Sequence, residues 1–207
     1  MKLFVWDFHG VLEKDNEYAV EEVCNRVLAE FGVERRATVQ ECLDLYGEKW
    51  AVYYRFYCPE ADEETIHKMV DRAVEIGVKE QITKKYIKPM DYAHYVLEEI
   101  ASKGYMNIIM SNSSPEALDM FLESVDMAGI FEHEYAADRH RENANDGNSK
   151  EIWLRKFLEK NEFDEIIVID DSPAGIEMGK RLGAKTYHFS RKSKAKIKDL
   201  REVLKEL

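Results

Sequence analysis

The chain has 207 residues with 41 acidic and 30 basic side chains, a formal charge of −11. That balance excludes a strongly basic nucleic-acid binder, and 45% hydrophobic with 34% charged residues is the make-up of a folded globular chain, not a disordered one. No apolar run approaches the roughly 20 residues of a membrane helix, and Cys24, Cys42 and Cys58 match neither a redox pair nor a zinc site. The expected setting is therefore cytoplasmic, with no membrane or nucleic-acid partner.

Residues 3–8, broken only by Asp7, form a run of aliphatic and aromatic side chains without polar alternation, the pattern of a central parallel strand covered on both faces. Residues 14–86 follow as an apparent insertion, because residues 9–106 are too many for one crossover helix and its loops. The inserted stretch reads as wholly helical. Val20, Val23, Val27 and Phe31 recur at helical spacing, and Trp50, Tyr53, Tyr54 and Tyr57 make a second stripe, read as the core of a small helical bundle in preference to a ligand wall.

Beyond it, helical patterns at 90–103, 115–126, 149–160 and 173–182 alternate with strand-like runs at 107–111, 133–137, 166–170 and 185–189. The expected fold class is α/β, a doubly wound parallel sheet of Rossmann-like type with an inserted all-α domain. The domains divide as a core of residues 1–13 and 87–207 and a helical insertion of 14–86. Residues 191–207, with seven basic and three acidic side chains, read as a solvated amphipathic terminal helix.

In such a sheet, ligands bind beyond the carboxyl ends of the strands. Three strand ends here carry polar groups: Asp7-Phe8-His9-Gly10, Ser111-Asn112-Ser113-Ser114-Pro115 and Asp170-Asp171-Ser172-Pro173. Carboxylates at 7, 170 and 171 meeting on one rim would repel unless a cation lay among them, and oxygen donors suit Mg²⁺. The Ser114-Pro115 and Ser172-Pro173 pairs are cap-plus-first-position signatures, so two helices start at that rim with anion-favouring ends. Gly10 allows a sharp turn that offers backbone N–H groups to an anion. Lys150, at the start of another helix, adds a point charge.

These motifs, in this order, resemble those of the haloacid dehalogenase (HAD) superfamily of hydrolases. Asp7 within Val5-Trp6-Asp7-Phe8-His9-Gly10-Val11-Leu12 matches the nucleophile motif, Ser111 within Ile108-Ile109-Met110-Ser111-Asn112 the second, Lys150 the third, and Asp170-Asp171 the paired-acid fourth. The helical insertion stands where this family carries its first type of cap. The resemblance implies a Mg²⁺-dependent phosphatase of a small phosphorylated metabolite that works through an aspartyl phosphate. It implies Mg²⁺ held by Asp7, the His9 carbonyl and Asp170 or Asp171, and phosphoryl oxygens held by Ser111, the Asn112 N–H and Lys150.

One position departs from the pattern. Phosphatases of the family usually carry a second Asp where this chain has His9. An imidazole can serve as acid and base in principle, so three readings stay open: a phosphatase using His9, another reaction on the same aspartyl scaffold such as dehalogenation or phosphonate cleavage, or a weak phospholigand-binding relative. Substrate choice is expected from the insertion and the loop before Lys150. Arg35, Arg36, Arg55, Arg139, His140 and Arg141 are candidates there, each read more readily as a solvated charge. His67, His94, His133 and His188 form no ligand-like group.

Overall fold

The computed structural model describes residues 1–138, 149–190 and 197–207. Arg139, His140 and Arg141, and residues 191–196 of the expected terminal helix, lie outside the described residues. Five parallel strands form the central sheet in the order β5-β4-β1-β6-β7: β1 Lys2–Trp6, β4 Met106–Ser111, β5 His133–Ala136, β6 Glu165–Asp170 and β7 Lys185–His188. β1 pairs with β4 on one side, Trp6 opposite Ile109, and with β6 on the other, Trp6 opposite Ile169. The chain thus works outward from β1 in both directions, which makes the end of β1 the switch point where a crevice opens.

Alternation along β1 explains why it is apolar from Leu3 to Trp6. Phe4 and Trp6 pack with α5 (Ala93–Ser102) and α6 (Pro115–Ser124) on one face, while Leu3 and Val5 pack with Leu154 of α7 (Lys150–Leu158) and Met178 of α8 (Pro173–Arg181) on the other. The indole of fully buried Trp6 is satisfied by Asn107 Oδ1 at 2.9 Å, and the Asn107 amide in turn donates to Leu97 O at 3.2 Å. β1 stops at Trp6, two residues before the expected end. The Phe8 carbonyl there accepts the N–H groups of Val11 and Leu12 at 3.3 and 2.9 Å, so the chain is already turning.

Between β1 and β4 the chain builds α1 (Asn16–Glu30), α2 (Val39–Asp44), α3 (Trp50–Tyr57) and α4 (Glu63–Val74), then a π-helical turn at Glu75–Lys79 and a 3-10 turn at Ile82–Lys85. Their apolar faces form a core of their own, centred on Val27, Leu28, Tyr54, Ile66, Met69 and Ile76. A ribbon closes the stretch at its borders, with Lys14 its one residue in a strand. Glu13–Lys14 (β2) pairs antiparallel with Lys88–Pro89 (β3), because the chain enters and leaves the insertion side by side; Lys14 to Asp91 and Lys88 to Asp15 ion pairs flank this ribbon. Tyr54 and Tyr57 are buried in the helical core as expected from their spacing.

The terminal segment differs from the amphipathic α-helix expected of it. It is a 3-10 helix, Leu200–Glu206, whose Leu200 and Val203 are buried against the α5 side of the sheet. Three-residue spacing puts those two side chains on one edge of a 3-10 helix. Among the described residues, no helix is long and apolar enough to cross a membrane.

Candidate active site

β1, β4 and β6 end side by side, and the next residue of each chain segment faces the crevice. Asp7, Asp170 and Asp171 bring carboxylate oxygens within 4.8 Å of one another. Lys150, the first residue of α7, ion-pairs with Asp7 and stands 3.6 Å from Asp170 Oδ2; the side chains of all three are no more than 11% exposed. Asp170 is anchored from behind, its Oδ1 accepting the Ser172 N–H at 2.8 Å and hydroxyl at 2.6 Å. His188 holds the neighbouring turn by donating from Nε2 to the Asp171 carbonyl at 2.9 Å.

Two glycines make room for these acids. A Cβ on Gly175 would lie 2.0 to 2.4 Å from the Asp170 carboxyl atoms, and one on Gly10 would lie 2.7 Å from Asp171 Oδ2. Gly10 also has φ of +75°, which suits only glycine well. Its N–H differs from the expected anion donor, since it donates to Glu13 Oε1 at 3.1 Å.

Burial pushes Asp7 up to about 6; Lys150 pulls against that shift and Asp170 adds to it. Asp171 is pushed up to about 8, again by burial first and then by the charges of Asp7 and Asp170. Burial lowers Lys150, but the carboxylates of Asp7 and Asp170 outweigh it and leave the ammonium raised. One lysine is therefore too little positive charge for three carboxylates, and the donor set fits a hard divalent cation.

Ser114, Ser149 and Ser172 cap α6, α7 and α8, accepting N–H bonds from Ala117, Ile152 and Gly175 at 3.3, 3.2 and 3.0 Å. Pro115 and Pro173 occupy the first helical positions. Ser111 is fully buried, and its Oγ accepts the Ser113 N–H at 3.1 Å, so its hydroxyl shapes the turn; Asn112, Ser113 and Ser114 are the residues of that turn that line the crevice.

His9 sits beside this rim in a network that ties the core to the insertion. Its Nε2 lies 3.1 Å from Ser113 Oγ and its Nδ1 3.1 Å from Glu13 Oε1, while the ring packs edge-on against Phe121 with centroids 4.8 Å apart. Glu13 is 1% exposed, and the same Oε1 also accepts the Tyr46 hydroxyl at 2.8 Å. With the ring neutral, a carboxylate at Nδ1 places the proton on that nitrogen and leaves Nε2 to accept the Ser113 hydroxyl. The rim opens into a cavity of about 680 Å³ whose far wall is the helical insertion.

A family model described as haloacid dehalogenase-like hydrolase matches residues 4–189, an interval that includes every strand end described above. The chain belongs to the haloacid dehalogenase-like hydrolases. It is 30% identical over 103 residues to a phosphoglycolate phosphatase of Aquifex aeolicus, a match covering 49% of this chain and 46% of that protein, so it spans about half of that relative's length. Among solved structures it resembles a predicted phosphoglycolate phosphatase from Haemophilus somnus, with a TM-score of 0.80, 14% identity and coverage of 100% and 97% of the two chains. It also resembles a HAD-like hydrolase from Streptococcus pneumoniae, with a TM-score of 0.78, 14% identity and coverage of 99% and 97%. At these identities the structural matches speak for the fold.

In this HAD-like hydrolase, reading strand ends and helix starts finds Asp7, Lys150, Asp170 and Asp171 together at the rim, but it misses Glu13 and Tyr46. Glu13 and Tyr46 lie 33 residues apart and meet only in the fold. The single available signal is the placement of Glu13 four residues after His9. The insertion's arginines are engaged elsewhere: Arg35 with Glu41 and the Phe56 carbonyl, Arg36 with the Asn25 carbonyl, and Arg55 with Glu63. None of the three lines the cavity.

Proposed function

We propose that this hydrolase is a Mg²⁺-dependent phosphatase of small phosphorylated metabolites, with residues 14–86 acting as a cap over a core of residues 1–13 and 87–207. The observation that carries the reading is the meeting of three carboxylates and one lysine at the ends of adjacent parallel strands. The phosphatase names of the Aquifex and Haemophilus proteins support the substrate class. Asp7, the His9 carbonyl, Asp170 and Asp171 would hold Mg²⁺, which when bound offsets their charge and draws charge from phosphoryl oxygens.

Asp7 attacks phosphorus through a carboxylate oxygen while the bond from phosphorus to the leaving alkoxide breaks. Lys150 and the Asn112 N–H stabilise the phosphoryl charge, and Ser111 holds the turn that aims this N–H. His9 Nε2 gives its proton to the leaving oxygen, then takes one from the water that cleaves the aspartyl phosphate, releasing inorganic phosphate and restoring Asp7. Glu13 orients the imidazole and supports the charged form that precedes the first transfer and follows the second.

Purified protein is expected to hydrolyse phenyl phosphate with Mg²⁺ and to lose that activity when the metal is chelated; undiminished turnover in chelator would overturn the reading. His9→Asp separates the roles of position 9. If His9 is the acid and base, kcat profiles from pH 5 to 9 shift between wild type and variant, whereas identical profiles would remove His9 from the mechanism.

Metal affinity should also depend on pH. Asp7 and Asp171 have folded-state values of about 6 and about 8, above the ordinary carboxylate value of 3.8, so the metal-free fold retains protons that the unfolded chain has lost. The favourable contribution of these two groups is full below that ordinary value and disappears as pH rises through about 6 and then about 8. Mg²⁺ competes with those protons, so calorimetric titration should show affinity rising from pH 6 to 8.5, with protons released to the buffer. Equal affinity across that range would contradict the assignment.

A further inference from the structure

The cavity wall that faces the reacting rim is built mainly from hydrocarbon. Val20 and Val23 of α1, Val74 at the end of α4 and Val78 in the π-helical turn line it, with Trp50 of α3 and Phe121 of α6. The π turn contributes twice, because Gly77 beside Val78 also lines the cavity and a Cβ there would meet nothing within 4 Å. Extra-residue turns of this kind often shape binding sites.

Charge on the same wall is sparse and of one sign. Among the described lining residues, Lys150 is the only Lys or Arg, and it already faces Asp7 and Asp170. The charged residue that the insertion adds is Glu48, an acid. A ligand with a second anionic group, a carboxylate or another phosphate, laid along that wall would bury the charge against valines, with no Lys or Arg among the described residues of the wall to receive it.

We propose that the cavity takes phosphate esters of uncharged, largely apolar alcohols, aliphatic or aromatic, and rejects those whose alcohol carries a second anion. This inference rests on the phosphatase reading for where the phosphoryl end sits. The alcohol lies along the Val20 to Val78 wall, where each added methylene leaves water for hydrocarbon.

Alkylphosphonic acids test this apart from turnover, since they have no ester bond to break. Calorimetric titration of the Mg²⁺-loaded protein with ethyl-, butyl- and hexylphosphonic acid should give a Kd that falls about three- to fourfold per methylene. Phosphonoacetic acid should bind about tenfold or more weakly than propylphosphonic acid, its near match in size. Val20→Arg in α1, and independently Val78→Lys in the π-helical turn, should each reverse that order by supplying a cation on the wall, and agreement between them guards against one variant failing to fold. Chain-length dependence without hydrolysis of any ester would sink the phosphatase reading and leave this one standing. Hydrolysis that favours phosphoglycolate over hexyl phosphate would sink this one alone. A flat chain-length series, or no binding of any phosphonate, would overturn it as well.

Discussion

Asp7→Asn should lower kcat on phenyl phosphate by about 10⁴-fold or more, the scale seen when a covalent nucleophile is removed. The amide keeps the shape of the carboxylate but cannot attack phosphorus. The fold should tolerate the change. Burial disfavours ionised Asp7, whose pKa is pushed up to about 6, and after the substitution Lys150 still has Asp170 Oδ2 at 3.6 Å. The metal-free variant is therefore expected to melt at or above the wild-type Tm at pH 8, where wild-type Asp7 is ionised. That combination, activity lost and stability kept, separates a nucleophile from a structural acid. Substantial turnover by Asp7→Asn would place the attacking group elsewhere.

Gly175→Ala should nearly silence the enzyme from a position that touches no substrate. Its new methyl would fall 2.0 to 2.4 Å from the carboxyl atoms of Asp170, so that side chain must leave its place and its bonds to Ser172. Displacement of about an ångström at a catalytic group costs on the order of 10²-fold in rate, and if Asp170 holds the metal as proposed, loss of the Ser172 bonds that orient it should cost about 10- to 100-fold in metal affinity. Gly179→Ala is the matched control. Its Cβ would sit 2.8 Å from Thr186 Cγ2 and 3.1 Å from Val168 Cβ, a conflict between helix and sheet remote from the acids. It should reduce Tm while folded molecules keep their kcat. Equal loss of activity in both variants, or full activity in Gly175→Ala, would show that Asp170 needs no such accommodation.

Much of the core is legible in the chain because its signals are local. An unbroken apolar run such as Leu3 to Trp6 announces a strand covered on both faces, and a serine before a proline announces where a helix begins. The carboxylates at the ends of β1 and β6 follow from those two readings. The terminal 3-10 helix was less legible, since a three-residue spacing of Leu200 and Val203 fits either helical form until the sheet supplies a face for it. The β2-β3 ribbon was hidden for a related reason: two-residue strands carry no periodicity, and Glu13–Lys14 becomes extended only when Lys88–Pro89 returns beside it.

The amino-acid order by itself determined the candidate reactive groups, their sequence along the chain and the presence of a helical insertion, because each depends on neighbours a few residues apart. Tertiary structure alone decided that Glu13 and Tyr46 would meet beside His9, that Ser111 would turn its hydroxyl inward, and that the insertion would offer valines where arginines had been candidates. Those outcomes depend on how separate helices pack over the strand ends. Side chains tens of residues apart become neighbours there only after both cores have formed, and no local pattern records which ones they will be.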